Sequence, residues 1–211
     1  MNRLLTLLDA LRRTPAAPWL ALALGALMPL GLAPLDWWPV SLLALGLFSE
    51  LLRDQAPRRA ALISYAFGVG LWGHGASWLL VSMHDYGGTS LPLSLVLLAI
   101  VALTMALFFL PAGWLFSRLR LQRLGWLALP ALLVLGEWLR SWVLTGFPWL
   151  MLGYGFIDTP LAGWAPLAGI YGVSLGAGIT AVALFAIWRE GKRAWGAILA
   201  LAVIWIGGGL L

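Results

Sequence analysis

Seven apolar runs alternate with clusters of arginine along these 211 residues, and that alternation constrains the chain more than anything else in it. A bilayer core is ~30 Å thick, so a helix that crosses it takes ~20 mostly apolar residues. The runs are Pro18–Leu32, Trp38–Leu52, Ala60–Ser82, Leu91–Phe116, Leu124–Leu144, Ile170–Trp188 and Ala194–Leu211. Hydrophobic residues make up 62% of the chain and charged residues 10%. A soluble domain carries ~25% charged residues, so this chain lacks the charge to cover a water-facing surface. A disordered chain is excluded too, since it would be polar and charge-rich.

The cations set an orientation. Arg3, Arg12 and Arg13 precede the first run, and Arg53, Arg58 and Arg59 separate the second from the third. Arg118, Arg120 and Arg123 separate the fourth from the fifth, and Arg189, Lys192 and Arg193 the sixth from the seventh. If every run crosses, 12 of the 13 cations fall on one side and only Arg140 lies elsewhere. That is the positive-inside pattern. It predicts a cytoplasmic N-terminus and a C-terminus on the outer side. The cations punctuate apolar runs and form no patch of the kind that binds nucleic acid. The arginines ahead of the first run resemble a secretory signal, but no small-residue cleavage site follows, and the run reads as a retained helix. The expected architecture is an all-α, polytopic integral membrane helical bundle of about seven transmembrane helices, with residues 1–211 forming one transmembrane domain.

The segments expected outside differ in character. Ala33–Pro39, Met83–Leu91 and Thr145–Pro166 carry Asp36, Asp85 and Asp158, no lysine or arginine, and much Trp, Tyr, Gly and Pro. Aromatic belts at the head-group level account for part of this.

Few residues could carry chemistry. There is no cysteine, which removes thiolate ligands and a cysteine nucleophile, and Lys192 is the only lysine. Glu137 and Arg140 stand three apart within the fifth run, on one helical face. They read either as a structural ion pair or as a polar contact to a lipid head group, for which the planar arginine fork is suited. The following segment, TGFPWLMLGY (145–154), contains Pro148, which disfavours helix at Phe147. Apolar yet non-helical backbone at membrane depth survives where protein buries it or it lines a cavity. The segment is therefore an anchor loop or the wall of a lipid-accessible cavity, with Trp149 and Tyr154 at the head-group level. His74 and His84 lack the companions of a metal site. GVSLG (172–176) fits G-x-S-x-G, but in an apolar helix it reads as close helix packing. An intramembrane serine hydrolase using Ser174 with His74 or His84 stays open.

GEWLR (136–140), SWVLTGFPWLMLGY (141–154) and IDTPLAGWAP (157–166) together resemble the signature stretch of apolipoprotein N-acyltransferases. APLDWWP (33–39) resembles that family's first outer loop, and GHGASWLLVSMHDYGG (73–88) its third helix and second outer loop. The resemblance implies a bacterial inner-membrane protein with its C-terminus in the periplasm. It implies transfer of a fatty acyl chain from a phospholipid to the amino-terminal cysteine of a diacylglyceryl lipoprotein, through a cysteine thioester. In the family that chemistry belongs to a nitrilase-like periplasmic domain that follows the membrane helices. This chain has no cysteine, and its lysine falls on the cytoplasmic side, so no catalytic residue carries over and no cofactor or metal is expected. By resemblance Trp149, Phe147, Pro148, Tyr154, Glu137 and Arg140 belong to the lipid-substrate site. Asp36, Trp78, Gly87 and Gly88 match other recurrent positions.

The expected function is the lipid-access membrane part of such an acyltransferase, a truncated or fragmentary member that forms no acyl-enzyme by itself. Its expected partners are phospholipid, a diacylglyceryl lipoprotein and a missing or separate nitrilase-like domain. The alternative is a non-enzymatic membrane module that binds lipid or a separate catalytic subunit. A transporter fits the composition, but no paired set of broken helices divides the chain into symmetric halves.

Overall fold

Proline opens six of the helices, and this is the plainest link from sequence to local structure. Pro18, Pro39, Pro57, Pro92, Pro111 and Pro166 each stand in a first turn, where the missing N–H would have no intrahelical acceptor. The computed structural model describes residues 3–211, apart from the side chains of Leu4, Arg123, Leu144 and Lys192, so the cluster positions of Arg123 and Lys192 lie outside the described side chains. The described residues form helices and no strand: α1 (Arg3–Leu11), α2 (Ala17–Leu27), α3 (Trp38–Leu52), α4 (Pro57–Gly75), α5 (Trp78–Val81), α6 (Leu91–Ala106), α7 (Leu110–Arg118), α8 (Gly125–Arg140), α9 (Ala165–Glu190) and α10 (Trp195–Leu210).

Two helical stretches are long and apolar enough to cross a membrane, Leu91–Arg118 and Pro160–Glu190; Ala17–Gly31, Trp38–Leu52 and Trp195–Leu210 are shorter apolar helices. The two long stretches differ in place. Only 17% of the first is buried against 56% of the second. The exposed apolar stretch fits the outer side of a membrane bundle, whereas α9 is the central post of the bundle. α3, α8 and α10 pack on α9, and α2, α6 and α7 pack on α4. The core between these groups holds Phe48 stacked on Phe67 at 4.1 Å, with Leu45, Trp72 and Phe156 fully buried.

The runs are more broken than their apolarity predicts. The third stops as helix at Gly75 and continues as the short α5 and a π turn at Ser82–Tyr86. The fourth breaks ahead of α7, because Pro111 has no N–H to give to the preceding turn. The fifth ends at Arg140. The sixth is preceded by a kink at Gly169 (φ 61°). One further helix, α1, lies before the first run and packs on α3.

α2 and α4 meet backbone to backbone. A Cβ at Gly25 would overlap the Phe67 carbonyl, and one at Gly70 would overlap the Leu22 carbonyl. Small residues allow this approach, and dispersion then acts along the whole seam.

The cation-rich end is tied by ion pairs. Arg189 Nε donates to Glu50 Oε2 at 2.8 Å, its Nη2 also meets Glu50, and Nη2 reaches Asp9 Oδ1 at 3.1 Å. Arg12 bridges Asp9 at 3.3 Å and Asp54 at 3.0 Å. Arg59 Nη2 donates to the Arg12 carbonyl at 3.2 Å. These contacts fasten α1 to α3 and α9. The hydrogen bond from Arg189 holds the Asp9 carboxyl below its ordinary range.

Candidate functional site

The end of α8 presents Glu137 and Arg140 to the chain that follows it. The loop turns back because Thr145, Gly146 and Leu150 adopt positive φ, 74°, 84° and 55°. At Gly146 a Cβ would overlap the Ser141 carbonyl, so only glycine fits. The loop therefore folds onto the helix it has just left, and its main-chain groups need partners there.

Glu137 and Arg140 supply those partners, and they do not pair with each other. Arg140 is 2% exposed, and its Nη1 donates to the Trp149 carbonyl at 2.6 Å. The Arg140 carbonyl accepts from the Phe147 N–H at 2.9 Å. Glu137 Oε1 accepts from the Leu152 N–H at 2.8 Å. The i,i+3 ion pair, one of the two readings of these residues, is thus absent from the ion pairs among the described residues. Its reason is the loop, which offers a carbonyl to Arg140 and an N–H to Glu137. Glu137 Oε2, Arg140 Nη2 and Trp72 Nε1 are buried and hydrogen-bonded to no described protein atom.

An aromatic strip runs from this buried pair to the surface. The Arg140 guanidinium lies 4.7 Å from the Trp72 ring centroid, close enough for a cation–π attraction. Trp72 meets Phe147 at 5.3 Å, Phe147 meets Trp149 at 6.1 Å, and Trp149 meets Trp78 at 5.4 Å. Trp149 and Trp78 are 51% and 44% exposed, and Pro148 and Tyr154 are exposed beside them in the chain. Leu150 fits against Gly75, where a Cβ would collide with its methyls. The end of α4 is therefore shaped by the loop that covers it.

A narrow cavity of about 40 Å³ lies behind the loop, lined by Glu137, Leu150, Leu152, Ser174, Ser41 and Phe67 among others. Ser174 is fully buried, and its Oγ accepts from the Gly153 N–H at 2.8 Å. Neither histidine reaches it. His74 Nδ1 donates to the Ala26 carbonyl at 2.5 Å, and His84 Nδ1 to the Thr89 carbonyl at 2.8 Å. The G-x-S-x-G serine thus holds the loop from α9 as Glu137 holds it from α8. The Tyr171 hydroxyl adds a third tie, donating to Ser141 Oγ at 2.8 Å. Among the described residues no three His, Asp or Glu side chains gather for a metal ion.

The structure brings together Glu137, Arg140, Phe147, Trp149 and, from the recurrent positions, Trp78. Pro148 and Tyr154 lie on the loop's exposed side. Asp36, Gly87 and Gly88 take no part in the contacts described. Trp72 and Tyr171 belong to the same constellation, although their sequence surroundings mark them only as apolar helix, and so does Ser174, which its motif pointed to for packing or as a nucleophile.

These features define an all-helical protein with apolar helices of membrane-crossing length and a polar-anchored loop at one end. The profile of the apolipoprotein N-acyltransferase N-terminal domain matches residues 24–183, and the chain belongs to that family. It is 43% identical over 197 residues to an apolipoprotein N-acyltransferase of Azotobacter vinelandii, covering 90% of this chain and 38% of the relative. It is 42% identical over 197 residues to the Pseudomonas syringae pv. tomato protein of the same name, covering 90% and 39%. The Vibrio cholerae protein of that name is 43% identical over 161 residues, covering 75% and 32%. The chain spans well under half the length of these curated relatives.

Proposed function

We propose that this chain is the lipid-access membrane part of an apolipoprotein N-acyl transfer system in a bacterial inner membrane. Its helices cross about seven times, with the N-terminus cytoplasmic and the C-terminus periplasmic. The loop from Thr145 to Tyr154 is the place where a phospholipid, the acyl donor, and a diacylglyceryl lipoprotein, the acceptor, are handled. The acyl-transfer chemistry itself belongs to a nitrilase-like domain, because the 211 residues contain no cysteine to carry a thioester. The observation that carries this reading is the grip of Glu137 and Arg140 on the loop, which leaves Trp149 and Trp78 exposed side by side. Amphipathic indole rings suit the head-group level. The unpartnered Nη2 donor of Arg140 suits a phosphate or ester oxygen nearby.

A photoactivatable phospholipid tests this in membranes holding the chain. Crosslinks should concentrate on residues 147–154, and Trp149→Ala should lower them about tenfold. Labels spread evenly over all helices would refute a dedicated lipid site. The same preparation reports topology, since the cysteine-free background makes single cysteines readable. Asp158→Cys should react with an impermeant maleimide from outside and Arg120→Cys should not. A binding module that serves a separately encoded catalytic subunit is the second reading, and it draws on the same absence of cysteine. Thioester-linked acyl chain on the chain alone would sink both.

A further inference from the structure

The cation-rich end contains a cavity that the reading above does not use. It has a volume of about 340 Å³ and opens among the ends of α3 and α9 and the starts of α8 and α10. Its wall has two characters. Arg53 and Arg193 are among its polar lining residues, Phe116 and Val182 among its apolar ones, and the largely exposed Trp195 lines it too.

Two carboxylates also line it, and their partners decide its charge. Glu50 is buried and held by Arg189 from outside the cavity wall. Glu190 faces Arg53 at 3.9 Å, a loose pair. Arg193 is in no ion pair among the described residues. Arg193 is therefore the lining arginine left without a carboxylate partner among the described residues, next to apolar lining at the end of the long apolar helices. A charged head with apolar chains satisfies both halves, and a free phosphate satisfies only one. Basic pockets between helices at the cytoplasmic level suit anionic lipid head groups, and the arginine fork fits phosphate oxygens.

We propose that this cavity holds an anionic phospholipid of the adjoining leaflet, its phosphate between Arg53 and Arg193 and its chains along the Phe116–Val182 wall. The site lies at the opposite end of α8 and α9 from the Glu137–Arg140 loop, so this lipid is a bound structural component and not the acyl donor. The proposal rests on the membrane-spanning reading.

The test is native mass spectrometry of the full chain released from nanodiscs of equal phosphatidylglycerol and phosphatidylcholine. Phosphatidylglycerol should be retained about fivefold over phosphatidylcholine, the discrimination expected from one arginine near the surface. Arg193→Gln should bring the ratio to parity. Glu190→Gln should raise it by freeing Arg53. Arg118→Gln, at the same end but outside the cavity, should leave it unchanged. Equal retention of the two lipids by the unaltered chain would overturn the proposal, as would an equal loss from Arg118→Gln. Displacement by glycerol 3-phosphate would show a site for the phosphate alone and would also overturn it. Carbonate extraction of the same membranes separates the two readings: a chain that washes off fails the spanning model itself, whereas a retained chain without lipid preference fails only this site.

Discussion

At one end of the bundle charges hold one another, with Arg59 adding a bond to main chain, and at the other they hold main chain alone. Arg189, Glu50, Asp9 and Arg12 join three helices through side chains alone. Glu137 and Arg140 instead bond the Leu152 N–H and the Trp149 carbonyl. The difference follows from what each end must satisfy. The helices of the cation-rich end meet by short turns, and of their charged heads Glu50 and Arg12 are buried while Asp9 stays partly exposed. The opposite end carries a long non-helical segment, whose N–H and C=O groups need partners wherever lipid excludes water. Two polar side chains thus stand in for a missing turn of helix. A side-chain pair can re-form in many rotamers, while a bond to main chain fixes a position. The loop end is thus the more tightly positioned of the two.

Three experiments can break or sharpen this contrast. Arg140→Ala removes a charged hydrogen bond to the Trp149 carbonyl and the stack on Trp72. Charged hydrogen bonds contribute about 1.5–3 kcal/mol and a desolvated cation–π contact up to about 2, so a loss of about 3 kcal/mol is expected. Thermal unfolding in detergent should show it, with new proteolytic cleavage confined to residues 141–152. Cleavage elsewhere first would mean that the loop is held by something other than Arg140. Arg189→Gln should cost about 2 kcal/mol, below the 3–5 typical of a fully buried pair, because Asp9 stays partly exposed. Its effect should appear as release of α1, read by a label at Arg3→Cys, with the loop intact. The smallest effect is a pH effect. Asp9 is held below its ordinary value of about 3.9, so its contribution is complete above that value. It is lost as pH falls through the lower folded value. Acid should therefore loosen the α1 label before it alters tryptophan fluorescence of the loop; the reverse order would contradict the assignment.

Part of this was legible in the residues. The one cation outside the four clusters, Arg140, and its neighbour Glu137 stand out in the sequence, and both prove central. Their i,i+3 spacing gave the shared helical face and suggested the wrong partner, because spacing along one helix cannot register a loop that folds back over it. Ser174 shows the same limit. Its motif pointed to packing or to a nucleophile, while its oxygen serves an N–H 21 positions earlier in the chain. Other misses had a signal. Pro111 sits inside the fourth run and marks the break before α7. The third run gave less warning, since its end at Gly75 is shaped by Leu150 from a distant segment. Trp72 looks like any aromatic in an apolar helix until Arg140 is placed over it.

The backbone seam between α2 and α4 has a mechanical consequence. Carbonyls of Phe67 and Leu22 occupy the notches left by Gly25 and Gly70, and sliding either helix along its axis would drive those carbonyls into neighbouring side chains. The pair is keyed like a spline in its slot. Trp72 and Gly75, which form the fixed jaw beneath the loop, ride on that spline. Any travel that widens the narrow cavity behind the loop must then come from the opposing jaw of α8, α9 and the loop they grip.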